Sequence, residues 1–109
     1  MTYLTTLLSK PKEAFKNLNY VHHYTKPSGV SAGYAIWKED DEERFEADNR
    51  KAERALNGTL DYYTLHDFDP NLDSLELALE SMGATWALVG TFYEDETHLI
   101  HYSWDWSVT

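Results

Sequence analysis

The stretch that decides the fold lies at the C-terminus, where residues 99–108 read LIHYSWDWSV. Apolar residues alternate there with polar ones: Ile100, Tyr102, Trp104, Trp106 and Val108 alternate with His101, Ser103, Asp105 and Ser107. Successive side chains of a strand point to opposite faces, so this period of two predicts a strand with one buried face and one wet face.

The segment before this strand predicts its neighbours. Residues 85–93 are typical of a second strand, joined to the first by a polar turn at residues 94–97. Upstream, Asp69 can cap a helix, Pro70 suits its first position and Gly83 suits its end. This helix, over about residues 70–82, has one apolar face formed by Leu72, Leu75, Leu79 and Met82.

The N-terminal half predicts a helix followed by strands. Residues 2–8 can form a short helix, and Pro11 either kinks it or starts a second turn. Residues 19–25 and 34–38 indicate two strands, and residues 60–65 are also strand-like. We therefore predict a single α+β domain over residues 1–109, with a mostly antiparallel sheet, an N-terminal helix and one helix before a C-terminal β-hairpin.

Residues 41–56 admit two interpretations. Local propensity favours a helix, which would be closed by Gly58 and would carry one stripe formed by Phe45, Asn49, Ala52 and Leu56. The alternative takes residues 44–47 as a strand and residues 51–65 as a long strand.

Composition excludes several classes of function. The 109 residues include 19 acidic and 9 basic ones and no cysteine, for a net charge of −10. Nucleic-acid binders normally present a basic face, which this balance does not favour. Without cysteine there is no disulfide or thiolate metal site. The sequence has neither a long apolar run nor a signal segment, so we expect a soluble, non-secreted protein without a membrane partner.

Three patterns suggest chemistry and then fail on context. Residues 29–33 (GVSAG) match the G-x-S-x-G pattern of serine hydrolases, but Ser31 lacks the strand before it and the helix after it. Residues 67–73 (DFDPNLD) begin like a calcium loop, but Leu72 replaces the glycine and Ala78 replaces the bidentate glutamate. Helix capping explains those acids. We predict no catalytic residue, metal or cofactor.

Two histidine pairs, His22 with His23 and His98 with His101, are also candidate metal ligands. Neighbouring residues on a strand point to opposite faces, and so do residues three apart. Neither pair can therefore converge on one ion unless a bulge intervenes, and a third ligand is lacking.

Five segments carry a resemblance to a known class of proteins. They are residues 34–40 (YAIWKED), 46–49 (EADN) and 57–64 (NGTLDYYT), the Asp69-Pro70 helix, and residues 93–104 (YEDETHLIHYSW). In this order, across about residues 20–106, they resemble small tail-terminator or tail-completion proteins of tailed phages and prophages of Gram-positive bacteria.

The resemblance implies an α+β domain with the order helix, three strands, helix, two strands, and it favours strands across residues 44–65. It also implies a non-enzymatic ring, often a hexamer, that caps the tail tube and joins it to the head. The partners would be further copies of the chain and the tail-tube and connector proteins. The protein would reside in the virion tail or neck after assembly in the host cytoplasm.

Two sets of residues are candidates for this role. The first set is the acidic run, which is expected to form an exposed loop or element start: Glu39, Asp40, Asp41, Glu42 and Glu43. It either faces a DNA channel, where it repels phosphates and lets DNA pass without specific binding, or points outward. The second set is expected to pack in the core or at subunit interfaces: Trp37, Trp86, Tyr102, Trp104 and Trp106. An alternative function is a small acidic inhibitor or immunity-like protein that binds a basic partner.

Overall fold

The computed structural model describes residues 2–45 and 53–109. Helix α1 spans Leu4–Phe15 and helix α2 spans Asn71–Ser81. The strands are β1 (Val21–His23), β2 (Tyr34–Phe45), β3 (Glu53–Thr64), β4 (Thr85–Tyr93) and β5 (Ile100–Val108). This confirms the predicted α+β class, the N-terminal helix and the helix before a C-terminal strand pair. The order of elements is the one that the resemblance implies.

The five strands form one mixed, mostly antiparallel sheet in the order β1-β2-β3-β5-β4. Only β1 and β2 run parallel; the other pairs are antiparallel. The alternating strand β5 therefore lies between β3 and β4, with Trp104 opposite both Leu60 and Leu88. The parallel β1–β2 pair was not predicted, because sequence patterns give strands but not their directions.

The core lies on one face of this sheet. Leu60, Tyr62, Trp104 and Trp106 from the central strands pack there with α1 and α2. Both helices turn apolar residues toward the sheet: Leu7, Phe15, Leu75, Ala78, Leu79 and Met82. The predicted face of α2 is confirmed, with Leu75, Leu79 and Met82 buried and Leu72 partly buried. The predicted alternation of β5 is confirmed as well, because Trp104, Trp106 and Val108 are buried while Asp105 is exposed.

Asp69 caps α2 and also anchors it to the sheet. Its Oδ1 accepts a hydrogen bond from the backbone N–H of Asn71 at 2.9 Å, as the capping prediction requires. Its Oδ2 accepts hydrogen bonds from the hydroxyls of Tyr62 at 2.6 Å and Thr64 at 2.7 Å. Burial by itself would raise the pKa of Asp69, but these hydrogen bonds hold it below its usual value. One carboxylate thus joins β3 to α2.

The helix predicted over residues 41–56 is wrong wherever the structure describes it. Residues 41–45 continue β2 and residues 53–56 begin β3, paired in an antiparallel hairpin. Tertiary pairing overrides helix propensity here, and the strand interpretation is confirmed for these residues. Asn49 and Ala52, from the proposed helical stripe, lie outside the described residues.

Gly58 does not terminate a helix; it lies in the middle of β3, opposite Glu39 and Trp106. A methyl group at this position would overlap the Trp106 ring and the carbonyl oxygen of Lys38. Glycine is therefore required because an indole crosses directly over the strand. Pro11 does not start a second turn, because α1 runs from Leu4 to Phe15 with Pro11 buried inside it.

Candidate functional site

The motif residues singled out for chemistry do not assemble into a reactive site. Ser31 is exposed in the loop between β1 and β2, and a strand rather than a helix follows it. Of the acids in the calcium-like segment, Asp69 turns inward to Tyr62 and Thr64, while Asp73 lies in the first turn of α2.

The histidines take separate partners. His23 Nε2 lies 2.7 Å from Glu39 Oε1, and its ring stacks on Trp37 with centroids 3.7 Å apart. His101 Nε2 lies 2.7 Å from Asp61 Oδ1, and His98 pairs with the hydroxyl of Tyr93. Across residues 2–45 and 53–109, no group of three histidine, aspartate or glutamate side chains is arranged to hold a metal ion.

The acidic run is part of strand β2 rather than a loop, which corrects that part of the prediction. A bulge falls between Glu39 and Asp41, and it leaves Asp40 without a partner residue in the register with β3. Asp40 lies near Lys38, with 3.6 Å between the charged atoms, while Asp41 accepts a hydrogen bond from Asn57 at 2.8 Å. The sequence does not predict the bulge or the contact with Asn57, because both depend on the pairing with β3.

Two other acids of the run are also partly neutralised by neighbours. Glu42 pairs with Arg54 across the hairpin. Burial would raise the pKa of Glu39, but hydrogen bonds from Tyr24, from the backbone and from His23 hold it below its usual value. The run remains exposed at Asp40, Asp41 and Glu42. It presents negative charge to solvent, moderated by three cationic or potentially cationic neighbours: His23, Lys38 and Arg54.

The tryptophans proposed for the core or an interface all lie in or against the core. Trp37, Trp104 and Trp106 are buried, and Trp86 and Tyr102 pack against the same cluster while partly exposed. Two indoles align α2 on the sheet, because Trp104 donates to Glu76 at 2.9 Å and Trp86 donates to Glu80 at 2.8 Å. The exposed aromatic side chains are different ones: Tyr3, Tyr24, Phe68, Phe92 and Tyr93.

Strand β4 is an edge strand with an exposed apolar surface. In the described part of the chain it pairs with β5 on one side and has no strand on the other. It contains no charged residue, and the exposed fractions are 48% for Leu88, 55% for Val89, 55% for Phe92 and 59% for Tyr93. An uncharged apolar edge with open backbone donors and acceptors is a surface that proteins normally protect or use for pairing. Sequence reasoning missed it, because consecutive apolar residues are typical of a central strand.

The opposite edge of the sheet carries an apolar groove between α1 and β1, with a volume of about 660 Å³. Its apolar lining includes Phe15, Leu18, Val21 and Trp37. The lysines Lys12 and Lys16 belong to the same groove and are exposed. The sheet therefore has an apolar surface at each edge, and one of them has cationic side chains around it.

The face of the sheet that lies opposite the core carries a row of rings. Tyr34, Tyr63, His101 and Phe92 are successive cross-strand partners on β2, β3, β5 and β4. The centroid distances are 4.9 Å for Tyr34 to Tyr63, 4.3 Å for Tyr63 to His101 and 5.6 Å for His101 to Phe92. Such cross-strand contacts fix the register of the strands at this end of the sheet.

No known protein-family model matches the chain, and no curated protein sequence is significantly similar to it. Among the described residues, neither helix is long and apolar enough to cross a membrane.

Proposed function

We propose that this chain is a non-enzymatic structural protein of a phage tail, a terminator or completion protein that forms a ring and joins the tail tube to the head connector. The observation that carries the proposal is strand β4, an uncharged edge with four apolar side chains about half exposed. Such an edge suits a protein whose work is to associate. The sequence resemblance supports the same class.

A ring requires each subunit to use two different surfaces, because contacts between identical patches close after two copies. The two edges of this sheet differ in chemistry. One is the neutral strand β4, and the other is the groove between α1 and β1 with its lysines. This difference favours head-to-tail contact over a two-fold dimer, and so supports a ring, which would often be a hexamer in such proteins.

The acidic run on β2 has a role in this proposal. It would line the channel or its rim, where exposed Asp40 and Asp41 repel DNA phosphates and let the genome pass without binding. The variant Asp40→Asn/Asp41→Asn tests this role. We expect it to assemble normally but to slow DNA delivery from reconstituted particles, and normal delivery would argue against a channel position.

The experiment that tests the proposal is mass measurement by light scattering, on the chain alone and after mixing with the tail-tube protein encoded beside it. We expect a closed ring, or a cap that stops tube growth. Val89→Lys should abolish either one, because it places a charge in the exposed apolar surface of β4. Leu77→Lys is the matched control, since Leu77 on α2 is 69% exposed. A chain that stays monomeric and leaves tube growth unchanged would overturn the proposal.

The second candidate function is an acidic inhibitor of a basic partner. It is favoured by a shallow cleft of about 500 Å³ whose lining includes Asp40, Asp41 and Asp105. Complementary charge of this kind mainly speeds and orients association. Self-association separates the two candidates, because an inhibitor would remain monomeric or dimeric until its target is added.

A further inference from the structure

We propose that the groove between α1 and β1 receives the end of β4 and the turn that follows it, residues 92–96, from a second copy of this chain. This inference deepens the proposed function and depends on it for the premise that copies associate. It adds which surfaces meet, and in which direction. The contact joins opposite edges of the sheet, so each copy offers one surface to each neighbour.

The inserted segment has an apolar centre and an acidic end. Tyr93 is 59% exposed, and its hydroxyl is held 2.9 Å from His98 Nδ1. Phe92 before it is 55% exposed, but its ring points to the open face, where it contacts His101, so Tyr93 provides the apolar side chain. Asp95 and Glu96 follow directly in the turn, and both are exposed. The segment is also held in shape, because Thr97 donates to Glu94 and the backbone N–H of Glu94 bonds to Leu99 across the turn.

The groove has the complementary arrangement. Phe15 and Trp37 form an apolar floor, with ring centroids 6.1 Å apart. Lys12 and Lys16 project beside it, and both are exposed. Lys16 pairs with Glu13, but both side chains are about 60% exposed, so this pair can open at little cost. An apolar centre beside cationic residues thus faces an apolar centre beside anionic ones.

The charge distribution along the chain supports this pairing. Residues 1–26 contain four lysines and one acid, whereas residues 27–109 contain five basic residues and eighteen acidic ones. In a chain of net charge −10, the N-terminal segment is the region that can attract the acidic turn of another copy. The negative charge on the rest of the chain would oppose contact between two copies through their acidic surfaces.

The backbone of β1 favours side-chain insertion over extension of the sheet. The N–H of Val21 bonds to Leu18, and the carbonyl of His23 accepts the N–H of Thr25. These local bonds use backbone groups along β1 that could otherwise pair with an incoming strand. The groove therefore binds side chains and not a strand: Tyr93 contacts Phe15 and Trp37, and Asp95 and Glu96 lie near Lys12 and Lys16.

Charge exchange tests the contact. The variants Lys12→Glu/Lys16→Glu and Asp95→Lys/Glu96→Lys should each lower the fraction of assembled protein at least tenfold, in the ring alone or on the tail tube. Combining all four changes in one chain should restore assembly, because the signs are complementary again. The control is Asp67→Lys/Asp73→Lys, which reverses two exposed acids outside the contact and should assemble normally. Normal assembly of both paired variants, or no recovery in the fourfold variant, would overturn the inference.

Cysteine crosslinking provides a second measurement, which does not require a stable ring. The chain contains no cysteine, so introduced thiols are the sole sites of reaction with a short bismaleimide. Ser9→Cys lies in the groove and Glu96→Cys in the turn. We expect ladders of covalent multimers from the double variant, heterodimers from mixed single variants and little product from either single variant alone.

The crosslinks also separate this inference from the proposed function. Rings or tube caps that form normally and give no Ser9–Glu96 crosslink would refute the groove contact and leave the tail function standing. Dimers from the Val89→Cys single variant, without crosslinks between positions 9 and 96, would indicate a two-fold contact through β4 and refute the head-to-tail arrangement. Absence of both assembly and crosslinks, with or without tubes, would refute both proposals.

Discussion

The two faces of the sheet are formed by the same strands and have opposite properties. On the covered face, Leu60, Tyr62 and Trp104 are almost fully buried beneath the helices. On the open face, their immediate neighbours Asp61, Tyr63 and Ser103 remain partly exposed. The difference follows from the period of two along each strand, which sends adjacent residues to different surroundings.

This comparison separates residues that hold the subunit together from residues that remain available to partners. Burial of large apolar side chains contributes most of the stability, so the covered face should be sensitive to substitution. The open face and the edge strand β4 should tolerate substitution in the isolated subunit. Changes there should instead affect assembly.

Among substitutions that add or remove a single small group, the largest effect is expected for Gly58→Ala on the covered face. The added methyl group would overlap both the buried Trp106 ring and the backbone oxygen of Lys38, neither of which can move freely. Overpacking of this kind destabilises the folded state, here by about 3 kcal/mol. Urea denaturation followed by tryptophan fluorescence measures the free energy of unfolding.

Gly90→Ala on β4 is the matched control for Gly58→Ala. A methyl group there would meet the ring of Phe92, but that ring is 55% exposed and is free to rotate away. We expect a loss below about 0.5 kcal/mol, as for an ordinary surface substitution. Equal losses at positions 58 and 90 would contradict the distinction between the two faces.

The next effect concerns Asp69, whose hydrogen bonds join the covered face to α2. Asp69→Asn should reduce the free energy of unfolding by about 2 kcal/mol at pH 7, because hydrogen bonds to a charged group are among the stronger ones. The exposed residue Asp73 gives the control Asp73→Asn, which should cost well under 1 kcal/mol, the range of an interaction with the helix dipole.

The same carboxylate predicts a dependence on pH. The pKa of Asp69 is lowered in the folded protein, so its contribution is present above the unfolded value of about 3.9 and is lost as the pH falls through the folded value. The difference between the wild type and Asp69→Asn should therefore shrink on acidification below about pH 4. A difference that stays constant down to pH 2 would show that Asp69 acts without its charge.

A somewhat smaller effect is expected for Tyr62→Phe, which removes one of those hydrogen bonds. We expect a loss of about 1.5 kcal/mol at pH 7. Burial, followed by the hydrogen bond to Asp69, raises the pKa of Tyr62 to about 12. Its contribution is therefore complete below about pH 10 and is lost between about pH 10 and pH 12. Between these pH values, the free energy of unfolding should decrease less steeply with pH for Tyr62→Phe than for the wild type.

How far the sequence predicts this fold depends on how local each signal is. The alternation in β5 and the capped helix α2 depend on neighbouring residues, and both were predicted correctly. The β2–β3 hairpin depends on pairing between distant residues, so local propensity gave a helix over residues 41–56 and a terminating role for Gly58. Glycine is required at position 58 because the ring of Trp106, 48 positions later in the chain, lies directly over it.

The candidate surfaces were harder to predict for the same reason. Nothing in the segment TWALVGTFY indicates whether it is a central or an edge strand, because that depends on the order of strands in the sheet. The acidic run was correctly expected to be exposed, but its pairing with Lys38, Asn57 and Arg54 arises from the bulge and the hairpin register. The tryptophan content predicted a core, while the exposed rings are mainly tyrosine and phenylalanine.

A small effect on stability is expected for Tyr63→Ala, in the row of rings on the open face. Its ring stacks between Tyr34 and His101, but cross-strand pairs of this kind contribute only about 0.2–1 kcal/mol each. Tyr62→Ala, one position away on the covered face, should cost about 3–5 kcal/mol, the range found for buried aromatic residues. Thermal and urea unfolding of the two variants give the direct comparison. If Tyr63→Ala were as destabilising as Tyr62→Ala, the open face would be a structural surface. If Tyr63→Ala left stability unchanged and lowered the mass of the assembled ring of subunits, the row of aromatic side chains would belong to an assembly contact.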